Sequence, residues 1–329
     1  MMPNQQVVFA IDIGGTKMRG ALVSRSGTVL NRDEIPTRAS NGEPAAMKRL
    51  ADLLCGMKTE LSNVEPVGVG MAIAGTVDPE TGLFYKPPNL PTWHDTTPSL
   101  DLGAHLGLPA WVHNDASLAA FGEYVYGIGV GTKNFAMITL GTGIGGGLVL
   151  NGQLYGGHRG YAGEIGHLVV ENTGPECACG GRGCLEMMAS GTAMARIARE
   201  RLAAGESSLV RQLVKGDLNK IQTEILVNAE GKGDPMAGDV LRIAADYLGI
   251  GVAMIRSALD PELIAIGGGV SRNLHLFFPR LVASAKGHAM YVDKTLCPVV
   301  PTVLGEDAGL LGAAAMAWDK LGLQARSGG

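Results

Sequence analysis

A compact group of metal-binding residue types in the middle of the chain is the feature that most restricts its fold. Three of its members lie within eight residues, and the fourth precedes them by ten positions. The group consists of His167, Cys177, Cys179 and Cys184. One histidine and three cysteines make a closed tetrahedral zinc site, and Gly180, Gly181 and Gly183 let the backbone curl enough to aim three thiolates at one point. The sequence therefore predicts a structural Zn²⁺ at these four residues.

The alternative for this group is a chance cluster of buried or disulfide-bonded cysteines. A single residue separates Cys177 from Cys179, which disfavours a bridge between those two. With four protein ligands the metal has no open position, so it would stabilise the fold, by on the order of 10 kcal/mol, and take no part in chemistry. The chemistry is then expected from residues that the metal holds, among them the carboxylates of Glu164 and Glu186.

Composition excludes several classes of function. The chain has 329 residues, enough for about two domains, and its net charge of −4 provides no basic surface for nucleic acid or an anionic membrane. Its start has no signal-peptide pattern, and no apolar run approaches about 20 residues. Cys55 and Cys297 stand in apolar contexts and are expected to be reduced core residues, which suits a cytoplasmic protein.

Two stretches repeat one pattern of strand, glycine turn and strand. In the first half these parts cover 7–12, 13–17 and 18–23, and in the second half they cover 135–140, 141–147 and 148–150. Glycine-rich turns between apolar runs are typical of antiparallel hairpins. The repetition therefore indicates an internal duplication.

The remaining pattern alternates helices with short buried strands. Apolar periodicity predicts helices over 44–61, 100–106, 116–126, 191–204, 209–214, 221–229 and 235–259, with a last helix opening at 305–312. Buried strands are expected over 67–73, 110–113 and 263–266. The fold class is α/β, and because no low-complexity linker interrupts the chain, the two domains are expected to share a hinge.

The second glycine turn contains a literal dinucleotide-binding fingerprint, Gly141-x-Gly143-x-x-Gly146. The fingerprint requires a helix after the glycines and an acidic residue about 20 positions later. Here a strand follows and the acidic residue is missing, so this interpretation is rejected. The chain has no P-loop pattern either.

Both glycine turns are rich in backbone N–H groups and carry a threonine hydroxyl, Thr16 or Thr142, and turns of this kind bind anions. One such turn alone would be explained as a tight hairpin. Two related turns, with a third glycine run at 267–269, favour phosphate and nucleotide binding. The two turns are expected to face one another across a cleft, with Asp12 able to hold Mg²⁺ through water.

Six segments, in this order along the chain, resemble the ROK family of repressors, open reading frames and sugar kinases. They are Asp12-Ile-Gly-Gly-Thr-Lys17, Asn114-Asp115, Leu140-Gly-Thr-Gly-Ile-Gly-Gly-Gly147, Glu164-x-Gly-His167, Cys177-x-Cys-Gly-x-x-Gly-Cys-x-Glu186 and Gly267-Gly-Gly-Val270. The resemblance covers essentially the whole chain, the cysteine run is its most specific part, and within the family it is nearest to the bacterial glucokinases.

The resemblance implies the actin-like (ribonuclease H-like) ATPase fold, with two duplicated domains around a cleft and a zinc-knot insertion. The smaller domain would comprise 1–117 with 306–329, and the larger one 118–305. It further implies a cytoplasmic kinase that uses ATP and Mg²⁺ to phosphorylate the 6-hydroxyl of a hexose, glucose above all, while domain closure excludes water. A homodimer or dimer of dimers is expected, with no nucleic-acid or membrane partner.

The resemblance also implies roles for single residues. Asp115 would be the catalytic base, although an Asx residue where a strand meets a helix is usually only an N-cap. Asp115 would bind the sugar together with Gly75, Asn89, Asn114, Glu164, His167 and Glu186. The nucleotide and its phosphates would be held by Asp12, Gly14, Gly15, Thr16, Lys17, Gly141, Thr142, Gly143, Gly267, Gly268 and Gly269. Because the phosphate turns lie on other segments, Glu186 is expected to act on the sugar alone. His167 is expected to bind zinc through one ring nitrogen and a sugar hydroxyl through the other.

Two alternative functions stay open. A sugar-responsive repressor of the same family would carry a helix-turn-helix domain ahead of the first glycine turn, and only eleven residues precede Asp12. A kinase for N-acetylglucosamine, N-acetylmannosamine, fructose or mannose would differ at the sugar 2-position. Some N-acetylmannosamine kinases replace the glutamate that matches Glu164, so its presence favours glucose. Polyphosphate in place of ATP is also left open.

Overall fold

The structure, a computed structural model, describes residues 4–78, 80–85, 90, 92–270, 274–289 and 297–323. Its contacts divide the chain into two units. The described residues of Met1–Lys133, Gly147–Gly163 and Thr302–Gly329 form the first unit, and those of Asn134–Gly146 and Glu164–Pro301 form the second. The domain limits expected from the sequence, which place residues 118–133 and 147–163 in the larger domain, stay a prediction.

Ten strands and ten α-helices make up the described parts of the chain. The strands are β1 (Gln5–Ile13), β2 (Lys17–Ser24), β3 (Val29–Pro36), β4 (Val64–Ile73), β5 (Ala110–Asn114), β6 (Phe135–Leu140), β7 (Ile144–Leu150), β8 (Gln153–Leu154), β9 (Leu263–Gly267) and β10 (Val299–Pro301). The helices are α1 (Glu43–Thr59), α2 (Pro98–Leu106), α3 (Asp115–Tyr126), α4 (Leu185–Ala189), α5 (Gly191–Ala203), α6 (Leu209–Leu213), α7 (Thr223–Glu230), α8 (Pro235–Leu259), α9 (Leu274–Gly287) and α10 (Ala308–Lys320).

The two sheets have one and the same strand plan. The first has the order β3-β2-β1-β4-β5, and the second, written from its other edge, has β8-β7-β6-β9-β10. In the first sheet β4 is parallel to β1, β5 is parallel to β4, and β3 is antiparallel to β2. In the second sheet β9 is parallel to β6, β10 is parallel to β9, and β8 is antiparallel to β7. The duplication inferred from the glycine turns is confirmed.

The core of the first unit lies around β1, whose residues from Val7 to Ile11 are at most 3% exposed. Runs that are apolar at every position are typical of strands covered on both faces. Here α1 contributes Met47, Leu50 and Leu54 to the same buried cluster. Helix α10 packs against α3, β1 and β4.

Helices α3 and α10 meet through glycine. A Cβ on Gly312 would overlap the backbone oxygen of Leu118, and one on Gly122 would overlap that of Ala308. The fully buried carboxylate of Glu123 joins the same parts of the chain, since its Oε1 accepts hydrogen bonds from the backbone nitrogens of Val303 (2.9 Å) and Leu304 (2.7 Å). The segment that enters α10 is thereby tied to α3.

Most elements expected from the sequence are present, with ends shifted by a few residues. Helix α8 has its expected limits, because Asp234 caps it by accepting a hydrogen bond from the Ala237 nitrogen (2.8 Å) and Pro235 follows the cap. The last helix begins at Ala308, after a 3₁₀ turn at Gly305–Asp307. The expectation that Cys55 is a core residue is wrong, since its side chain faces solvent on α1. Within the described residues, no helix combines the length and apolarity that a bilayer crossing needs.

Candidate active site

The glycine turn of the first unit is held by a buried threonine. The Gly14 nitrogen donates to the Lys17 oxygen (2.9 Å), which closes the turn. Thr37, fully buried, donates its hydroxyl to the Gly14 oxygen (2.6 Å) and its backbone N–H to the Thr16 oxygen (2.8 Å). Thr16 itself is exposed. The turn therefore has a fixed backbone and an accessible threonine, as an anion-binding turn requires.

Two charged residues of this turn have protein partners. Lys17 pairs with Glu34 at 2.7 Å on the surface. Asp12, at the end of β1, pairs through Oδ2 with Arg19, which sits opposite it in β2. Its Oδ1 has no hydrogen-bond partner among the described residues. This oxygen is therefore available to accept a hydrogen bond from a water molecule bound to Mg²⁺.

Asn114 and Asp115 lie where β5 meets α3. Asn114 is the N-cap, since its Oδ1 accepts from the Ser117 nitrogen (3.0 Å), and its Nδ2 donates to the Gly75 oxygen (3.2 Å). Asp115 is the first residue of the helix, and its Oδ1 accepts from the Ala116 nitrogen (2.8 Å). Asn114 is therefore the N-cap, while Asp115 accepts a further N–H of the first turn, and the catalytic role of Asp115 stays a prediction.

The glycine turn of the second unit is joined to the start of α5. The Gly191 nitrogen donates to the Gly141 oxygen (2.9 Å), and the Thr192 nitrogen to the Thr142 oxygen (3.2 Å). Thr142 is exposed, like Thr16 in the matching turn. The first N–H groups of the helix thus bind the turn instead of water, and the turn takes its position from the helix.

A cavity of about 590 Å³ opens beside this turn, within the size range of small-molecule sites. Its walls come from the turn, from α5, from the segment that leads into α7 and from the end of β9. The lining residues are Gly141, Thr142, Gly191, Thr192, Ala195, Arg199, Asn219, Ile221, Gln222, Thr223, Glu224, Gly269 and Val270. Such a mixture of backbone, hydroxyl, amide and charged groups can bind a nucleotide.

The third glycine run, 267–269, closes one side of the cavity. Gly268 has φ +94°, and a Cβ there would overlap the backbone of Leu140. Only glycine therefore fits between β9 and β6, and this leaves Gly269 on the cavity wall.

The cysteine cluster has the geometry of a tetrahedral metal site. Cys179 Sγ lies 3.6 Å from Cys184 Sγ, and Cys177 Sγ lies 3.6 Å from His167 Nδ1. All four ligand atoms lie within 4.8 Å of one another. Around a zinc ion with Zn–S bonds of about 2.3 Å, neighbouring sulfurs would be about 3.8 Å apart. The donor set and its spacing fit zinc.

Backbone contacts shape this zinc knot, residues 164–186. Gly183 has φ +66°, and a Cβ there would overlap the Glu171 oxygen. The Cys177 nitrogen donates to the Gly181 oxygen (2.8 Å), and the Gly180 nitrogen donates back to the Cys177 oxygen (2.9 Å). The glycines between the cysteines therefore serve the tight turn that the sequence indicated.

The zinc knot is also connected to the glycine turn through Ile144. The Ile144 nitrogen donates to Glu186 Oε2 (2.9 Å), and a Cβ on Gly166 would overlap the Ile144 oxygen. The carboxylate of Glu186 thus contacts the glycine turn directly, and the expectation that Glu186 acts on the sugar alone stays a prediction.

Glu164 completes this group on the second unit. Its Oε2 lies 3.8 Å from His167 Nε2, the ring nitrogen that is not turned to the cysteines. Burial raises the pKa of Glu164, opposed by the charge of His167 and reinforced by that of Glu186. Three polar side chains of the knot, those of Glu164, His167 and Glu186, thus lie close together.

The expected site residues fall into groups. The first unit brings together Gly75, Asn114 and Asp115, and separately the turn with Asp12 and Thr16. The second unit brings together Glu164, His167 and Glu186, and the glycines of its turn with 267–269. Asn89 lies outside the described residues. The sequence did not indicate Arg199, Asn219 and Gln222 to Glu224, which no motif marks.

Two sheets of duplicated plan, each with a strand–glycine turn–strand unit, and a Cys3His knot define an α/β protein built from two related halves. The ROK family model matches residues 8–320, and the chain belongs to the ROK family.

Individual relatives agree with this assignment. A glucokinase of Thermotoga maritima is 36% identical over 322 residues, which are 98% of this chain and all of the relative. The structure of a ROK hexokinase from Thermus thermophilus aligns with a TM-score of 0.84 and 31% identity, over 96% of this chain and 99% of the other. That of a ROK family glucokinase from Streptomyces griseus in complex with glucose and AMPPNP aligns with a TM-score of 0.80 and 32% identity, over 95% and 99%.

Proposed function

We propose that this protein is an ATP-dependent sugar kinase that phosphorylates the 6-hydroxyl of glucose. The observation that carries the proposal is its likeness, over nearly the whole chain, to a ROK glucokinase whose structure holds glucose and AMPPNP. The exposed threonine turns and the nucleotide-sized cavity supply the features that such a reaction needs.

Asp115 is proposed as the general base. Phosphoryl transfer requires positioning, charge neutralisation and one carboxylate that accepts the proton of the attacking hydroxyl. Asp115 stands at the start of α3, next to an asparagine that is bonded to both the helix and the Gly75 oxygen. Its carboxylate is therefore held on a rigid element. Glu164, His167 and Glu186, also fixed in place, are proposed to bind the other sugar hydroxyls.

ATP is proposed to bind in the cavity beside Thr142, with its phosphates near the glycine turn of the second unit. Mg²⁺, when bound, neutralises phosphate charge, and Asp12 Oδ1, which bonds to none of the described residues, is proposed to accept a hydrogen bond from a water of its shell. Zinc held by His167 and the three cysteines would stabilise the knot and orient the imidazole. We place the enzyme in the cytoplasm, as a homodimer or dimer of dimers, which light scattering on the purified protein tests.

An ADP-release assay over a panel of sugars tests the function. Glucose is expected to give the highest kcat/KM, ahead of mannose, fructose, N-acetylglucosamine and N-acetylmannosamine. The same panel with polyphosphate in place of ATP tests the phosphoryl donor. Preference for an N-acetylated sugar would overturn the substrate, and no turnover with any sugar would overturn the kinase.

A further inference from the structure

The glycine turn of the first unit is held in place by the last residue of β3 and the residue after it. Pro36 is the strand partner of Lys17, where the turn ends. Thr37, which is fully buried, donates its hydroxyl to the Gly14 oxygen (2.6 Å) and its N–H to the Thr16 oxygen (2.8 Å). Any shift of residues 36 and 37 would therefore move the backbone of the turn.

Arg49, on α1, binds both of these residues. Its Nη1 donates to the Pro36 oxygen (2.8 Å), and its Nη2 donates to the Thr37 oxygen. A guanidinium group can bind two neighbouring carbonyl oxygens at once because its donors form a rigid fork. One side chain thereby fixes both residues, and through Thr37 it fixes the turn.

The chain next to Thr37 has a conformation that needs such support. Arg38 has φ +51° and ψ +52°, in the left-handed region that residues other than glycine seldom adopt. Strained backbone of this kind persists where surrounding contacts fix it, and it is concentrated at functional sites. The Thr37 oxygen that Arg49 binds belongs to the peptide bond that leads into Arg38. Arg49 therefore supports the strained residue as well as the turn.

The charge of Arg49 has no carboxylate partner. Among the described residues its guanidinium group bonds only to the two backbone oxygens, and its Nε is buried without a hydrogen-bond partner. A buried or partly buried cation is normally paired with an anionic group. Because Arg49 lies so close to the residues that hold the glycine turn, its unpaired charge favours an anion bound at that turn.

We propose that Arg49 is a positioning residue for phosphoryl transfer. It touches no substrate. It acts through Thr37, which keeps residues 14–17 in the shape that binds phosphate, and its charge adds to the attraction for that phosphate. The inference rests on the proposed function, because that function supplies the phosphate.

The variant Arg49→Met tests this role by removing both the fork and the charge. We expect kcat/KM for ATP to fall roughly tenfold or more, since small displacements of positioned groups are costly in catalysis. The KM for the sugar should stay near its wild-type value, because Asn114 and Asp115 belong to β5 and α3. Lys48→Met is the matched control, since it removes a charge from the neighbouring exposed position, where Lys48 pairs with Asp52 (2.9 Å). It should leave both constants unchanged.

Two further variants test whether Arg49 acts through Thr37. Arg49→Lys keeps the charge but loses the fork, so its kcat/KM for ATP should lie between those of the wild type and Arg49→Met. This milder variant carries the test if Arg49→Met does not fold. Thr37→Val removes the hydroxyl that binds Gly14. In the double variant the loss should be smaller than the product of the two single factors, because both changes act on one chain of contacts. Factors that simply multiply would overturn the path through Thr37.

Hydrogen exchange needs no turnover and separates this proposal from the proposed function. The amides of Gly14 and Thr37, which close the turn and bind it, should exchange faster in Arg49→Met and Arg49→Lys than in the wild type and Lys48→Met. Absence of turnover by the wild type with every sugar would overturn the kinase, and the phosphate with it. Unchanged exchange, or a lower melting temperature with wild-type kinetic constants, would overturn the role of Arg49 alone.

Discussion

Asp115 and Asn114 divide two tasks that adjacent residues at a helix start often share. Asn114 is the N-cap of α3, and Asp115, whose Oδ1 accepts the Ala116 N–H, carries the carboxylate proposed as the general base. This division lets the two functions be changed separately.

The variant Asp115→Asn should keep the fold and lower kcat by roughly 10² to 10⁴, the usual range for a lost general base. Melting temperature and zinc content should stay at wild-type values, because the cap is Asn114. Steady-state kinetics and thermal melting check this, and near-wild-type turnover would contradict the role.

Glu43, the first residue of α1, is a carboxyl that folding keeps protonated. It is 1% exposed, and its pKa is raised to about 8 by burial, with further effects of a hydrogen bond to Asp101 and the charge of Asp101. The folded state therefore binds one proton more than the unfolded state between about pH 4.5 and 8, and stability falls as pH rises through that window.

In Glu43→Gln this pH dependence should be absent. We compare the free energy of unfolding of the wild type with that of the variant at each pH. From the acidic to the alkaline end of the window, the wild type is expected to lose at least about 1 kcal/mol relative to the variant, which corresponds to roughly one pKa unit. Denaturant titrations of both proteins measure it. Parallel stability curves would show that Glu43 ionises as it does in the unfolded chain.

At the scale of elements, the zinc knot and the glycine turn of the second unit behave as one piece. Ile144 donates its N–H to Glu186 and contacts Gly166 through its oxygen. A disturbance in the knot should therefore reach the turn that borders the nucleotide cavity.

Cys179→Ser should lose the zinc, about one ion per chain in the wild type, together with activity and thermal stability. Cys55→Ser is the matched control, since Cys55 is an exposed cysteine on α1. Elemental analysis, melting temperature and turnover are measured on both. A fully active Cys179→Ser protein without metal would contradict the role of the knot.

Glu186→Gln should keep the zinc, because Glu186 is not a ligand. The loss of charge weakens its hydrogen bond to Ile144 and its proposed bond to a sugar hydroxyl, each worth on the order of 1.5 to 3 kcal/mol. We expect lower kcat/KM for the sugar and also a raised KM for ATP. An unchanged KM for ATP would mean that the turn holds its shape without this carboxylate.

The cluster of His167 and three cysteines could be predicted because its residues are of rare types and three of them lie within eight positions. The hairpins could be predicted because glycine turns leave a local pattern. The Glu186–Ile144 bond could not, since it joins a carboxylate to a backbone N–H about 40 residues away, and backbone groups leave no mark in a sequence. The polar lining at Asn219 and Gln222 was equally hidden, because such residues are ordinary in loops.

At the scale of the whole molecule, the first unit is assembled from distant parts of the chain. Helix α10 packs on α3, β1 and β4 from the other end of the sequence. Its contact with α3 depends on Gly312, where no side chain fits.

Gly312→Ala should destabilise the protein by about 1–3 kcal/mol, the usual cost of overpacking, despite the better helix propensity of alanine. Gly309→Ala is the control on the same helix, since nothing lies within 4 Å of the added Cβ. It should be neutral or stabilising. Thermal melting of both variants decides the matter, and equal melting temperatures would contradict the close contact.

The position of α10 has a consequence for how this protein is made. A ribosome adds residues at roughly 5–20 per second. Helix α10, which packs on β1 and β4, is therefore synthesised on the order of ten seconds or more after Lys133, and until then it cannot cover their apolar surfaces. The second unit, whose segments end at Pro301, is fully synthesised before the first can close. Nascent chains should therefore bind chaperones until translation is nearly finished. A truncated chain, released from a ribosome that stalls before residue 308, should aggregate.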